Sequence, residues 1–148
     1  MPKPHRAAIR NTGTRRRLDL ARVLLVHGDL ASRLALQTIL EAGGYAVDVA
    51  ATQAEALSKL DERQYELVLS ESRIGRHSGG RDLLAYARVK AYRPATALIT
   101  SSDSWTNSRR PRTRISVYTE NLPNLLAEVA ELIGARASRR SRLVRQAV

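Results

Sequence analysis

The feature that most constrains this chain is an alternation of short apolar runs with segments of helical periodicity. Val23-Leu24-Leu25-Val26 is continuously apolar, partly β-branched and bounded by His27-Gly28-Asp29, which is how a strand buried on both faces of a parallel sheet reads. Leu30, Leu34, Ile39 and Leu40 then recur at helical spacing, and Gly43-Gly44 ends that helix. The alternation repeats. Ala46–Ala50 reads as a short strand, and Thr52 is placed to cap a helix carrying Ala56, Leu57 and Leu60. Tyr65–Ser70 is the next strand, followed by a loop rich in Gly and Arg. A helix over Asp82–Lys90 stops before Arg93-Pro94, and Ala95–Thr100 forms a fourth strand. Ile115–Tyr118 reads as a short fifth strand, and Leu122, Leu125, Leu126, Val129 and Ile133 mark a closing amphipathic helix.

Each parallel crossover needs a helix, so these units predict a doubly wound α/β sheet with helices on both faces. The fourth helix is the weak unit. Residues 101–114 contain one large apolar residue, Trp105, and a proline, Pro111. A short or absent helix is expected there.

Charge divides the chain into three parts. Residues 1–20 carry Lys3, Arg6, Arg10, Arg15, Arg16 and Arg17 against Asp19, a net +5. Residues 134–148 carry Arg136, Arg139, Arg140, Arg142 and Arg145 with no acid, another +5, which leaves +1 of the total +11 for residues 21–133. The basicity belongs to the ends. We therefore expect a disordered basic arm over 1–20, a domain over 21–134, and a basic tail or extension of the last helix over 135–148. One further cluster, Arg109, Arg110, Arg112 and Arg114, surrounds Pro111.

The same composition excludes several classes. Cysteine is absent and the three histidines share no metal-ligand spacing, so thiolate chemistry and a His-based metal centre are not expected. No apolar run approaches the roughly 20 residues of a membrane span. The basic N-terminus lacks the apolar segment of a secretory signal, and a cytoplasmic location is the default. Neither helix-turn-helix nor zinc-finger spacing occurs in these 148 residues, and a second output domain is not expected within them.

From Arg22 to Ile133 the order of elements resembles the bacterial response-regulator receiver family. Arg33 with Leu40, Gly44-Tyr45 before the second strand, Ala54-Glu55-Ala56-Leu57 in the second helix and Gly79 after the third strand carry the likeness. The resemblance implies a single (βα)5 flavodoxin-like domain with strand order 2-1-3-4-5 and functional loops at the carboxyl ends of the strands. In that family an acidic pair after the first strand and an Asp ending the third hold Mg²⁺, and the third-strand Asp accepts a phosphoryl group from a histidine kinase. A Thr or Ser after the fourth strand and a Lys near the fifth bind the phosphoryl oxygens.

This sequence departs at those positions. His27 and Gly28 replace the acidic pair, with Asp29 as a nearby acid expected to begin the helix. Glu71 stands at the acceptor position, Thr100 is retained as the switch hydroxyl, and no Lys or Arg lies between Ile115 and Leu126. Mg²⁺ demands hard oxygen ligands and must offset phosphoryl charge, so we expect no catalysis, no resident metal and no cofactor. Glu71 has two readings. It is either a fixed negative charge reaching toward Thr100, or a solvated carboxylate at a strand end, which the missing Lys favours. His27 either titrates beside Asp29 and Glu71, joins them around a transition metal, or fills a vacated pocket; the last is favoured.

The Arg109–Arg114 cluster falls where the resemblance places the docking and dimerisation face. It reads as a contact patch for an acidic partner or a phosphate backbone, or equally as a solvated loop. The expectation is a phosphorylation-independent interaction module in a bacterial regulatory pathway, with an unidentified regulatory protein as partner and homodimerisation through that face. The alternative is a small nucleic-acid binder that uses the same fold to position its arginine tails.

Overall fold

The computed structural model describes residues 20–74, 79–100, 114–116 and 122–147, with Thr100 and residues 114–116, 122–123 and 143–147 described as backbone only. The strands among them are β1 (Arg22–Val26), β2 (Ala46–Ala50), β3 (Leu67–Glu71), β4 (Ala95–Thr100) and β5 (Arg114–Ser116). The helices are α1 (Leu30–Ala42), α2 (Gln53–Glu62), α3 (Gly79–Arg88) and α4 (Leu122–Ala147). All pairings are parallel and the sheet order is β2-β1-β3-β4-β5, so the expected flavodoxin-like architecture is present.

The apolar run of β1 shows why the sheet is covered on both faces. Successive side chains of a strand point to opposite sides. Val23 and Leu25 enter a core with Leu36, Leu40, Leu67, Leu69, Leu125 and Val129, under α1 and α4. Leu24 and Val26 enter another with Ala56, Leu60, Val68, Leu83, Leu84 and Ala87, under α2 and α3. All four apolar side chains of β1, Val23 to Val26, are fully buried, each contributing about 1.5–3 kcal/mol of transfer free energy. A strand with polar alternation would leave one of these cores open.

Local signals set the helix ends. The Asp29 carboxylate accepts from the Ser32 backbone N–H and caps α1, while Thr52 accepts from Glu55 N–H and caps α2. Gly44, at φ +97°, makes the left-handed turn after α1.

Several expected boundaries move. Of the four expected positions of α1, Leu40 is fully buried and Ile39 packs against the core, but Leu30 and Leu34 are 58% and 51% exposed, and Leu36 faces the core in their place. Both spacings fit a 3.6-residue period, and packing against the core formed by β1, β3, β4 and α4 decides between them. α3 begins at Gly79, three residues before the expected Asp82. Gly79 and Gly80 are close-approach residues there, because a Cβ on Gly80 would lie 2.1 Å from the Glu71 carbonyl oxygen and one on Gly79 2.5 Å from that of Ile74. β3 runs two residues later than expected at its start and ends on Glu71. β5 begins at Arg114, and Val117 and Tyr118 lie outside the described residues, as do the 1–19 arm and the expected fourth-helix segment over 101–113. Gly134 does not end α4, which continues as helix through the basic segment to Ala147.

Candidate functional site

Strand register brings the carboxyl ends together. Val26 pairs with Ala50 and Ser70, and Glu71 pairs with Ile99. The loop after β1 and the end of β3 therefore meet at one edge of the sheet, where open α/β sheets place their sites.

At that edge the Gly28 backbone N–H donates to Glu71 Oε1 at 2.7 Å, a charge-assisted hydrogen bond at the short end of the normal range. The other carboxylate oxygen, Oε2, lies 3.6 Å from His27 Nε2, an ion-pair distance rather than a hydrogen bond. Gly28 makes the approach feasible, since a Cβ there would stand 3.1 Å from Glu71 Oε1. His27 is fixed from three sides. Its N–H donates to the Ala50 carbonyl, its carbonyl accepts from an Arg33 guanidinium N–H at 2.9 Å, and its Nδ1 accepts from the Asp29 backbone N–H at 3.1 Å. An accepting Nδ1 puts the ring proton of the neutral imidazole on Nε2, facing Glu71.

Asp29 takes no part in holding Glu71. Its Oδ2 accepts from both the backbone N–H and the hydroxyl of Ser32, and these bonds hold its carboxyl below the usual carboxylate range, helped by nearby His27 and Arg33.

The site therefore brings His27, Gly28 and Glu71 together and turns Asp29 into the helix. The Glu71 carboxylate is directed at the loop after β1, so it is more engaged than a solvated strand-end acid. Thr100 closes β4 at the same edge, with its side chain outside the described residues. Arg109, Arg110 and Arg112 also lie outside them, as do Arg15, Arg16 and Arg17, and Arg114 opens β5. Arg139, Arg140 and Arg142 are exposed on α4, and Arg145 is part of the same helix.

Arg136, which the sequence groups with the other arginines of the basic tail, is buried while Arg139, Arg140 and Arg142 are exposed. It is 7% exposed, with Nε donating to the Arg93 carbonyl at 2.9 Å and Nη2 to that of Tyr92 at 2.7 Å. The sequence carried a signal for this: Leu125, Val129, Leu132 and Arg136 follow one another at four, three and four residues, so Arg136 continues the buried stripe. The Arg33 contact had a weaker signal, its place in the first helix.

The residues at the sheet edge do not fit Mg²⁺. The ion takes hard oxygen ligands in octahedral geometry, whereas here one flanking position offers an imidazole whose Nδ1 is already an acceptor and the other offers only a main-chain N–H. Glu71 Oε1 already accepts that N–H. Among the described residues no group of three His, Asp or Glu is placed to hold a metal ion, and the chain has no Cys. Among the described residues no metal- or cysteine-based catalytic machinery is found. No described helix is long and apolar enough to cross a membrane.

The sequence matches no protein-family model and no curated protein. Solved structures do match. A CheY-like response-regulator receiver domain protein from Methanospirillum hungatei is 25% identical, covering 82% of this chain and 99% of its own, with a TM-score of 0.64. The signal receiver domain of an HD domain-containing protein from Pseudomonas fluorescens is 21% identical over 83% of this chain and 93% of its own, at a TM-score of 0.69. A response regulator from Thermotoga maritima, solved in complex with Mg²⁺ and BeF, is 24% identical over 76% of this chain and 99% of its own, at a TM-score of 0.61. The structure of this chain thus matches the CheY-like response-regulator receiver domains broadly, and what it shares with them is their fold.

Proposed function

We propose that the chain is an atypical receiver that acts in the cytoplasm as a phosphorylation-independent protein-interaction module in signal transduction. The observation that carries this reading is the 2.7 Å bond from Gly28 N–H to Glu71 Oε1. A phosphoryl acceptor needs a free carboxylate oxygen, a cation beside it and countercharge for the product. Here one oxygen accepts a main-chain N–H, the other faces an imidazole, and no acidic pair is present to hold the cation. A receiver fold without that chemistry transmits through its surface. The partner is a regulatory protein, and the face running from 101–113 to α4 is where docking or homodimerisation is proposed, with Arg109, Arg110, Arg112 and Arg114 as its cationic patch.

The test is incubation of the full chain with acetyl phosphate and Mg²⁺, read by intact mass, and with beryllofluoride and Mg²⁺, read by thermal shift. We expect no adduct and no shift. A Mg²⁺-dependent adduct abolished by Glu71→Gln would overturn the reading.

A second reading, a nucleic-acid binder with the receiver fold as its platform, is favoured by one specific observation. The basic C-terminal segment is a helical continuation of α4, and it exposes Arg139, Arg140 and Arg142. Binding to labelled DNA or RNA that weakens steeply with salt would support it.

A further inference from the structure

The face of the sheet away from α1 and α4 is covered by α2 and α3, and their outward surface divides by charge. Along Gln53–Glu62, α2 carries Glu55, Asp61 and Glu62 against Lys59, a net −2. From Gly79 to Arg93, α3 and the turn after it carry Arg81, Arg88, Lys90 and Arg93 against Asp82, a net +3. The two helices pack side by side. Each returns the chain from the carboxyl end of one parallel strand to the start of the next, so they run in the same direction.

A three-residue cluster marks the seam between them. The Asp61 carboxylate accepts from the Tyr86 hydroxyl at 2.7 Å and from the Lys90 ammonium, and Lys90 Nζ stands 4.6 Å from the centre of the Tyr86 ring. These contacts set the Asp61 and Lys90 charges against each other and hold the ring. Glu55 and Glu62 lie about 100–120° round α2 from Asp61, and Arg81 and Arg88 about 140–160° round α3 from Tyr86. Between them and the seam the exposed surface is Ser58 on α2 and Ala85 and Val89 on α3. Val89 is 79% exposed, the most of any large apolar residue described. The face thus runs from acid, through small and apolar residues, to base. All four outer charges are exposed, and among the described residues none has an ion-pair partner.

We propose that this face is a self-association surface, on which α2 of one protomer lies over α3 of a second copy about a two-fold axis along the seam. In such an isologous pair every contact occurs twice. The axis exchanges the acidic and basic sides. Because the two helices run in the same direction, their ends match as well: Glu55 meets Arg81 of the second copy near the helix starts, and Glu62 meets Arg88 near the helix ends. Tyr86, beside the axis, packs on its own counterpart, and Val89 is withdrawn from water.

Charge complementarity selects the occupant. A foreign protein would have to present the same gradient reversed, whereas a second copy supplies it by symmetry. Two helices of this length side by side offer a face of roughly 15 by 20 Å, small beside the roughly 800 Å² per partner of a standard interface. The dimer is therefore weak and concentration-dependent. The inference goes beyond the reading above, since it gives self-association to the α2–α3 layer and leaves the α4 side of the sheet to the regulatory partner.

The test is sedimentation velocity of the full chain over a concentration series at low and high salt, with E62R, R88E, V89D and an equimolar mixture of E62R and R88E. The wild type is expected to move from monomer toward dimer as concentration rises, and less so at high salt. Each charge reversal sets like charges together twice across the two-fold, so it should weaken self-association by at least about tenfold. The mixture should restore the dimer, because the new cation of one variant meets the new anion of the other and every remaining pairing is native. R88E also gives up a bond from Arg88 Nε to Thr96 Oγ1. Should circular dichroism show it unfolded, E62R and V89D carry the inference, since Val89 has little packing to lose. R139Q, on α4, should leave the dimer unchanged. A monomer at every concentration overturns the inference and leaves the face to a different protein. A dimer that E62R and V89D leave intact overturns it too, as does a mixture of folded variants no more associated than its components. The phosphorylation-independent role survives all three results, because the acetyl phosphate experiment decides it.

Discussion

The Glu71 carboxylate and the Gly28 backbone N–H hold the end of β3 to the loop after β1 across 2.7 Å. A main-chain donor thus fixes which way the carboxylate turns. Because the pair is partly open to water, solvent replaces much of the interaction when it is broken. We expect Glu71→Ala to lower stability by about 1 kcal/mol, and Glu71→Gln, which keeps an acceptor oxygen, by less. Urea denaturation checks the order. Equal stability of Glu71→Ala and wild type would mean that the bond contributes nothing.

Restoring the missing acids should create what the native loop lacks. In H27D/G28D three carboxylates would converge with no cation, so mutual repulsion should destabilise the variant in chelator. Added Mg²⁺ binds the folded state and should recover about 1 kcal/mol at a concentration several times its dissociation constant. The native chain should show no such Mg²⁺ dependence. Thermal shift with Mg²⁺ and with chelator decides this, and a Mg²⁺ response as large in the native chain would contradict the account of the site.

Much of this fold was legible because β1 and β4 are wholly apolar or nearly so, and only a sheet covered on both faces buries such runs. The caps at Asp29 and Thr52 were equally local. What escaped sequence reasoning depended on long-range packing. Leu30 and Leu34 share the period of Leu36 and Leu40, and the core that α1 meets, built from β1, β3, β4 and α4, decides which turn inward. Gly79-Gly80 looked like a loop because their role is to admit the Glu71 and Ile74 carbonyls, contacts invisible along the chain. The sequence placed His27, Gly28 and Glu71 at the carboxyl ends of their strands, but the direction in which Glu71 turns is set by backbone geometry.

The two glycines Gly80 and Gly134 should respond oppositely to alanine. At Gly80 a methyl would meet the Glu71 carbonyl oxygen at 2.1 Å. Backbone cannot yield as a side chain does, so we expect a loss of about 3 kcal/mol, the upper end for overpacking. At Gly134 no atom lies within 4 Å, and the residue is inside a helix. Gly134→Ala should therefore stabilise by about 1 kcal/mol. Chemical denaturation of both variants tests the pair, and a destabilised Gly134→Ala would contradict a continuous α4.

Asp29 gives the acid limb of stability a named contributor. Its bonds to Ser32 hold its folded pKa below the usual carboxylate value. A group depressed in this way contributes stability that is fully present above its unfolded pKa and is lost as pH falls through the folded one. Compared with Asp29→Asn, which retains a capping oxygen without a charge, the native chain should lose its advantage progressively below the ordinary aspartate range. Denaturation midpoints of the two proteins from neutral pH downward should converge in acid. A difference that stays constant with pH would assign the cap to geometry alone.

Arg136 supplies the most demanding test of how the basic helix is held. Its guanidinium is buried and divides two N–H donors between the Tyr92 and Arg93 carbonyls, and Arg93 itself adopts φ 44° in that turn. Arg136→Met fills a similar volume but removes both donors. Hydrogen bonds from a charged donor contribute about 1.5–3 kcal/mol each when intact, so the variant should lose at least about 2 kcal/mol. Arg136→Lys cannot reproduce the fork and should lie between methionine and wild type. The loss should be local as well as global. With the anchor gone, the helix beyond Gly134 keeps its intrinsic propensity but no hold on the β4 turn, so hydrogen exchange of the α4 amides after Arg136 should accelerate before that of β1. If those amides stay as protected in Arg136→Met as in the native chain, the arginine is a passenger and some other contact orients the helix.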